Sequence, residues 1–115
     1  MAQTFDQAEL MERVDNDAAF LAETVEMLVS DGPTLMAQVR AAISAGDAAS
    51  LGRSAHSLKG MISNFCAPTA QAAALELEKL GKAGNLSPAP AAADIAQQHL
   101  QALTDELVAF VKANS

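Results

Sequence analysis

The sequence predicts an all-α fold: an up-down-up-down antiparallel four-helix bundle with a short extra helix at its N-terminus. Three observations carry that expectation. Apolar residues recur at helical spacing in four long stretches, each lining one face of an amphipathic rod. Alanine is abundant, whereas only four Phe and no Trp or Tyr occur, which suits closely packed helices better than a sheet. Breakers then punctuate the stretches at Gly46-Asp47, at Ala67-Pro68-Thr69 and from Gly81 to Pro90.

Taken in order, residues 6–13 form a short helix with Leu10 and Val14 spaced to face inward. Asp15-Asn16-Asp17 supplies capping residues for a longer helix over 17–45, on which Phe20, Leu21, Val25, Leu28 and Val29 mark the apolar face. Gly32-Pro33 interrupts the propensity, yet Leu35, Met36, Val39 and Ile43 resume the stripe, so one rod with a kink is expected. Gly46 suits the left-handed position after a helix end and Asp47 the N-cap of the next helix, 48–65. Pro68 fits only a helix start, opening a fourth helix over 69–82 with Ala73, Leu77 and Leu80 inward. Residues 81–90 read as the longest loop. A last helix over 91–112 aligns Ile95, Leu100, Leu103, Leu107, Val108 and Val111. Met27 and Met36 read as core filler, and Cys66 as a small buried hydrophobe. At 115 residues the chain is expected to be one domain spanning 1–115.

The net charge of −7 argues against nucleic acid or an anionic membrane as partner. A single cysteine suits a reducing compartment. There is no apolar run of the ~20 residues that span a bilayer and no basic, apolar leader at the N-terminus, so a soluble cytoplasmic protein is expected. Among the acidic residues no catalytic pair is visible; they read as solvated helix faces.

The chemistry concentrates around His56. At about 100° per residue, Ser63, Gly52, Gly60, Lys59 and Arg53 all fall within about 60° of it. Leu51, Ala55, Leu58, Ile62 and Phe65 lie about 100° or more away and form the apolar stripe. The imidazole therefore points to solvent, with a cation one turn on and glycines one turn before and after. An exposed neutral Nε2 is a competent nucleophile toward phosphorus, and phosphoryl transfer asks mainly for positioning and charge neutralisation, which Lys59 offers. Arg53 is placed to steer an acidic partner. Ser63 either donates toward the ring or a phosphoryl oxygen, or bonds back to its own helix. Gly52 either admits a partner's backbone or accommodates helix packing. No P-loop, kinase glycine loop or acidic metal cluster occurs, so the phosphoryl group has to come from, and leave to, other proteins.

The segment Ala55-His56-Ser57-Leu58-Lys59-Gly60 resembles the signature of histidine-containing phosphotransfer (HPt) domains of multistep phosphorelays. The likeness extends over about residues 6–112, through the Gly32-Pro33 feature, Ala45-Gly46-Asp47 and the Ala-rich helix that follows. It implies that His56 is the phosphoacceptor and Lys59 the phosphate-stabilising cation. Gly60 would be the small residue that admits a response-regulator receiver domain, and Met61 with the exposed end of the 17–45 helix part of the docking surface. It implies no cofactor on this chain, because the receiver brings both the aspartyl phosphate and the Mg²⁺. Expected partners are receiver domains and a hybrid sensor histidine kinase, with this chain a monomeric carrier rather than an enzyme. One departure is Cys66, where the family often has glycine ten residues after the histidine. Two rival readings are a helical adaptor that binds receivers or kinases without accepting phosphate, and the phosphoacceptor domain of a chemotaxis-type kinase.

Overall fold

A computed structural model describes residues 4–114. The chain forms α1 (Gln7–Arg13), α2 (Ala18–Ala45), α3 (Ala48–Ile62), α4 (Pro68–Ala83) and α5 (Ala89–Ala113), with a 3₁₀ turn at Ser63–Phe65 between α3 and α4. Helices α2 to α5 pack as a closed ring in which α3 lies between α2 and α4, and α5 joins α4 back to α2. Successive helices joined by short connections run antiparallel, which makes this the expected up-down-up-down bundle.

Each start is written in the local sequence. Asp6, Asp17 and Asp47 accept hydrogen bonds from the backbone N–H groups of Glu9, Phe20 and Ser50, satisfying donors that the first turn leaves orphaned. Pro68 occupies the first position of α4, where a missing N–H costs nothing. Gly46 and Gly84 end α2 and α4 with φ of 67° and 69°. Helix α2 runs across Pro33 without interruption. Gly32 before it is buried, packed near Leu28 and Leu100.

Three expectations shift. The helix carrying His56 ends at Ile62 rather than running to residue 65, and the chain turns through the 3₁₀ segment into Cys66, whose φ is 55°. That is the left-handed region that glycine enters freely, a physical reason for the glycine that the resemblance implies at this position. The Cys66 carbonyl accepts from the N–H of Asp6, and partial burial pushes its thiol pKa up. Second, the long loop shrinks to five residues, because α4 continues through Gly81 to Ala83 and α5 starts at Ala89. Third, Phe20, Met27, Val29 and Ile95 are exposed rather than core residues. Each sits at helical spacing from true core positions, but on the flank the bundle leaves open.

The core is aliphatic, built from Leu21, Leu28, Leu51, Leu58, Leu77 and Leu103 among others, with alanines letting the helices approach. Helix α1 covers the end of the bundle where α3 finishes and α4 begins. Leu10 and Val14 are buried there, Arg13 Nη1 donates to the Ser63 carbonyl at 2.7 Å, and the Phe5 and Phe110 rings meet edge to face with centroids 5.4 Å apart.

Candidate functional site

The contact between α3 and α4 sets the site. Gly52 and Gly81 face each other there: a Cβ built on Gly81 would lie 2.6 Å from the Gly52 Cα and 2.9 Å from the Ala48 carbonyl oxygen. No side chain fits on Gly81, so the two backbones approach as closely as packing permits. One turn along α3 from Gly52 is His56, and one turn back along α4 from Gly81 are Leu77 and Glu78. The close crossing thereby places Glu78 beside the histidine.

Glu78 is the residue that sequence reasoning missed. The acidic residues were expected on solvated faces, yet this side chain is only 2% exposed. Its Oε2 lies 2.8 Å from His56 Nδ1 and 3.1 Å from Lys82 Nζ, and its Oε1 lies 2.6 Å from Lys59 Nζ. A buried carboxylate is tolerable only when compensated in this way. The Lys59 ammonium and the His56 ring, then Lys82, hold its pKa down to about 2 against the ordinary 4.5.

An ionised carboxylate has no proton to give, so Nδ1 must be the donor in the His56–Glu78 hydrogen bond. In the neutral ring this puts the lone pair on Nε2. The His56 side chain is 68% exposed, so that lone pair is within reach of a second protein. Lys59, at 26% exposure, is anchored to Glu78 on one side, and Lys82, at 73%, reaches the same carboxylate from α4. A pair of lysines thus converges on one anion directly behind the imidazole.

The remaining candidates divide between two flanks. Arg53 shares with His56, Gly52, Glu78 and Lys82 a depression of about 580 Å³ between α3 and α4, and donates to Ser50 Oγ at 2.9 Å. Gly52 faces Gly81 across the helix contact, where a Cβ on it would meet the Gly81 and Lys82 backbone at an ordinary 3.7 Å, so close packing requires the glycine at 81 and not at 52. Gly60 and Met61 lie on the other flank. They line an apolar groove of about 540 Å³ with Thr24, Met27 and Leu35 of α2 and Asn64 of the 3₁₀ turn. Gly60 is exposed and a Cβ there would meet nothing within 4 Å. Ser63 is not brought to the ring. Its hydroxyl donates to the Gly60 carbonyl at 2.6 Å, and the ring is oriented by Glu78 instead. Ser57, next to the histidine, lines both depressions, so the imidazole stands at the ridge between them.

Among the described residues no group of three or more His, Cys, Asp or Glu is placed to hold a metal ion. No helix among them is long and apolar enough to cross a membrane.

A four-helix bundle presenting one exposed, carboxylate-backed histidine is the architecture of a phosphoryl carrier. The chain belongs to the Hpt domain family, whose model matches residues 23–110. It is a histidine phosphotransfer domain, which carries a phosphoryl group between proteins and is not an enzyme. The crystal structure of histidine-containing phosphotransfer protein B (HptB) from Pseudomonas aeruginosa PAO1 is similar over 98% of each chain, with a TM-score of 0.90 and 25% sequence identity. Among curated proteins none matches this chain.

Proposed function

We propose that His56 Nε2 is the phosphoacceptor of a phosphorelay, taking the phosphoryl group from the aspartyl phosphate of a receiver domain and passing it to a response regulator. The observation that carries this reading is the pairing of exposure with orientation: a ring open to solvent whose Nδ1 is held by a buried carboxylate. In the forward step the Nε2 lone pair forms the N–P bond as the bond from phosphorus to the aspartyl oxygen breaks. The reverse step returns the phosphoryl group to an aspartate. Lys59 supplies positive charge to the transferring oxygens, aided by three donors on a flexible stem. The Mg²⁺ that completes this neutralisation belongs to the receiver.

The receiver docks over the α2–α3 groove, where Gly60 gives close access and Met27 and Met61 give apolar contact. Arg53 steers from the opposite flank. Partners of this kind, a hybrid sensor kinase and a response regulator, suit a cytoplasmic protein, and helices α2 to α5 closing on one another support reading residues 1–115 as one domain that acts as a monomer.

Incubation with phosphorylated receiver domains should give an acid-labile, alkali-stable label on the wild-type protein and none on His56→Gln. Equal labelling of His56→Gln removes the acceptor assignment. A variant that keeps pathway output without any label makes the chain an adaptor instead.

A further inference from the structure

The Glu78 carboxylate is bound to Nδ1 in the unphosphorylated protein, and its chemistry matters more once Nε2 is occupied. A neutral ring with a proton on Nδ1 becomes a cation when Nε2 bonds to phosphorus. That charge persists only while Nδ1 keeps its proton. If the proton stays, breaking the N–P bond releases neutral imidazole; if it is lost, the leaving group is imidazolate, far more basic and far slower to depart.

We propose that Glu78 retains the proton on His56 Nδ1 while Nε2 carries the phosphoryl group, keeping the phosphohistidine labile and ready for onward transfer. The inference rests on His56 as the acceptor and adds a role for a residue that touches no reacting atom. Glu78 is a positioning residue that acts through the ring.

The geometry supports this at each point. Oε2 is 2.8 Å from Nδ1, and the carboxylate is 2% exposed, so water cannot readily replace the ring as its partner. A carboxylate acceptor makes a hydrogen bond roughly twice as strong as a neutral one. The charged groups that face the ring are Glu78 and Lys82 from α4 and Lys59 and Arg53 from α3. The cations among them oppose a positive ring, but a phosphoryl group brings about −1.5 to −2 charge to Nε2 and draws the lysines toward itself. Lys82, at 73% exposure, is free to swing, and its move leaves Oε2 to the Nδ1 proton alone.

The test uses the full chain loaded chemically with phosphoramidate, which needs no partner. Decay of the phosphohistidine is followed by ³¹P NMR between about pH 6 and pH 9, in wild type and Glu78→Gln. Glutamine keeps the size and an acceptor oxygen but not the charge. Wild-type decay should be nearly flat with pH. That of Glu78→Gln should slow as pH rises, to about tenfold longer-lived by pH 9, the difference between a charged and a neutral acceptor. Independently, ¹H–¹⁵N NMR of the phosphorylated wild type should show Nδ1 protonated at about pH 8, a readout that stands even if Glu78→Gln does not fold. A deprotonated Nδ1 in that spectrum, or a variant whose decay tracks wild type at every pH, overturns the inference while leaving the relay intact. If His56→Gln takes up as much phosphoramidate label as wild type, the acceptor assignment falls and this inference with it.

Discussion

At the scale of single residues, the histidine face was legible and its counter-charge was not. His56, Lys59 and Gly60 are close in sequence, so helical geometry alone places them on one side of a rod. Glu78 is twenty-two positions from His56, on another helix, next to Leu77 in a polar-apolar pattern that any solvated glutamate shares. The one signal that points to it is the pair of glycines: if Gly52 and Gly81 meet, antiparallel register sets Glu78 against His56. Lys82 follows from the same register, one turn beyond Glu78. The depressed carboxyl also has a consequence for stability. Its folded pKa of about 2 lies below the ordinary 4.5, so its contribution is complete above 4.5 and is lost as pH falls toward 2. Urea unfolding at about pH 5 and about pH 2.5 should therefore show a larger loss for wild type than for Glu78→Gln. Equal losses would mean that the carboxyl is as easily protonated in the folded protein as in the unfolded chain.

At the scale of elements, caps and breakers gave the helix starts almost to the residue, because Asp17, Asp47 and Pro68 each solve a local backbone problem that nothing distant can alter. The errors came where tertiary packing overrides propensity. Gly81 looked like the start of a loop, but it is the buried glycine that lets α4 reach α3. Phe20, Val29 and Ile95 fit the apolar period, yet the ring of four helices covers only part of each rod, and these fall outside it. The two crossing glycines should respond unequally to alanine. Gly81→Ala forces a Cβ into the Gly52 backbone and should cost about 1–3 kcal/mol or more. At Gly52 the built Cβ lies 3.7 Å from the Gly81 and Lys82 backbone, an ordinary contact. Gly52→Ala should therefore be neutral or gain up to about 1 kcal/mol from helix propensity. Urea midpoints of the two variants check the asymmetry. The His56–Glu78 contact should loosen only in Gly81→Ala, seen as a shift of the His56 Nδ1 resonance.

At the scale of the whole molecule, the net charge of −7 and the cations behind His56 pull in different directions. The bulk of the surface repels acidic partners, while Lys59, Lys82 and Arg53 make the face around His56 locally attractive to a phosphorylated, acidic pocket. On the proposed reading, charge sets the orientation of the receiver and the apolar groove beside it gives the contact. Met27 is 60% exposed on the α2 side of that groove, and Ile95 is 52% exposed on α5, the helix diagonal to α3 in the ring. Both are large apolar side chains that folding leaves in water, so a glutamate at either position should leave stability within about 0.5 kcal/mol of wild type. Their effects on relay should differ. Met27→Glu places a charge in a desolvated contact and should lower the rate of transfer from a phosphorylated receiver by about tenfold at limiting concentrations, an interface loss of about 1.4 kcal/mol. Saturating receiver should restore the rate, because the substitution touches docking and not the ring. Ile95→Glu should transfer as wild type does. If both variants lose transfer equally, or neither does, the receiver does not sit on the α2–α3 side, and the face beside Arg53 and Lys82 becomes the docking surface in its place.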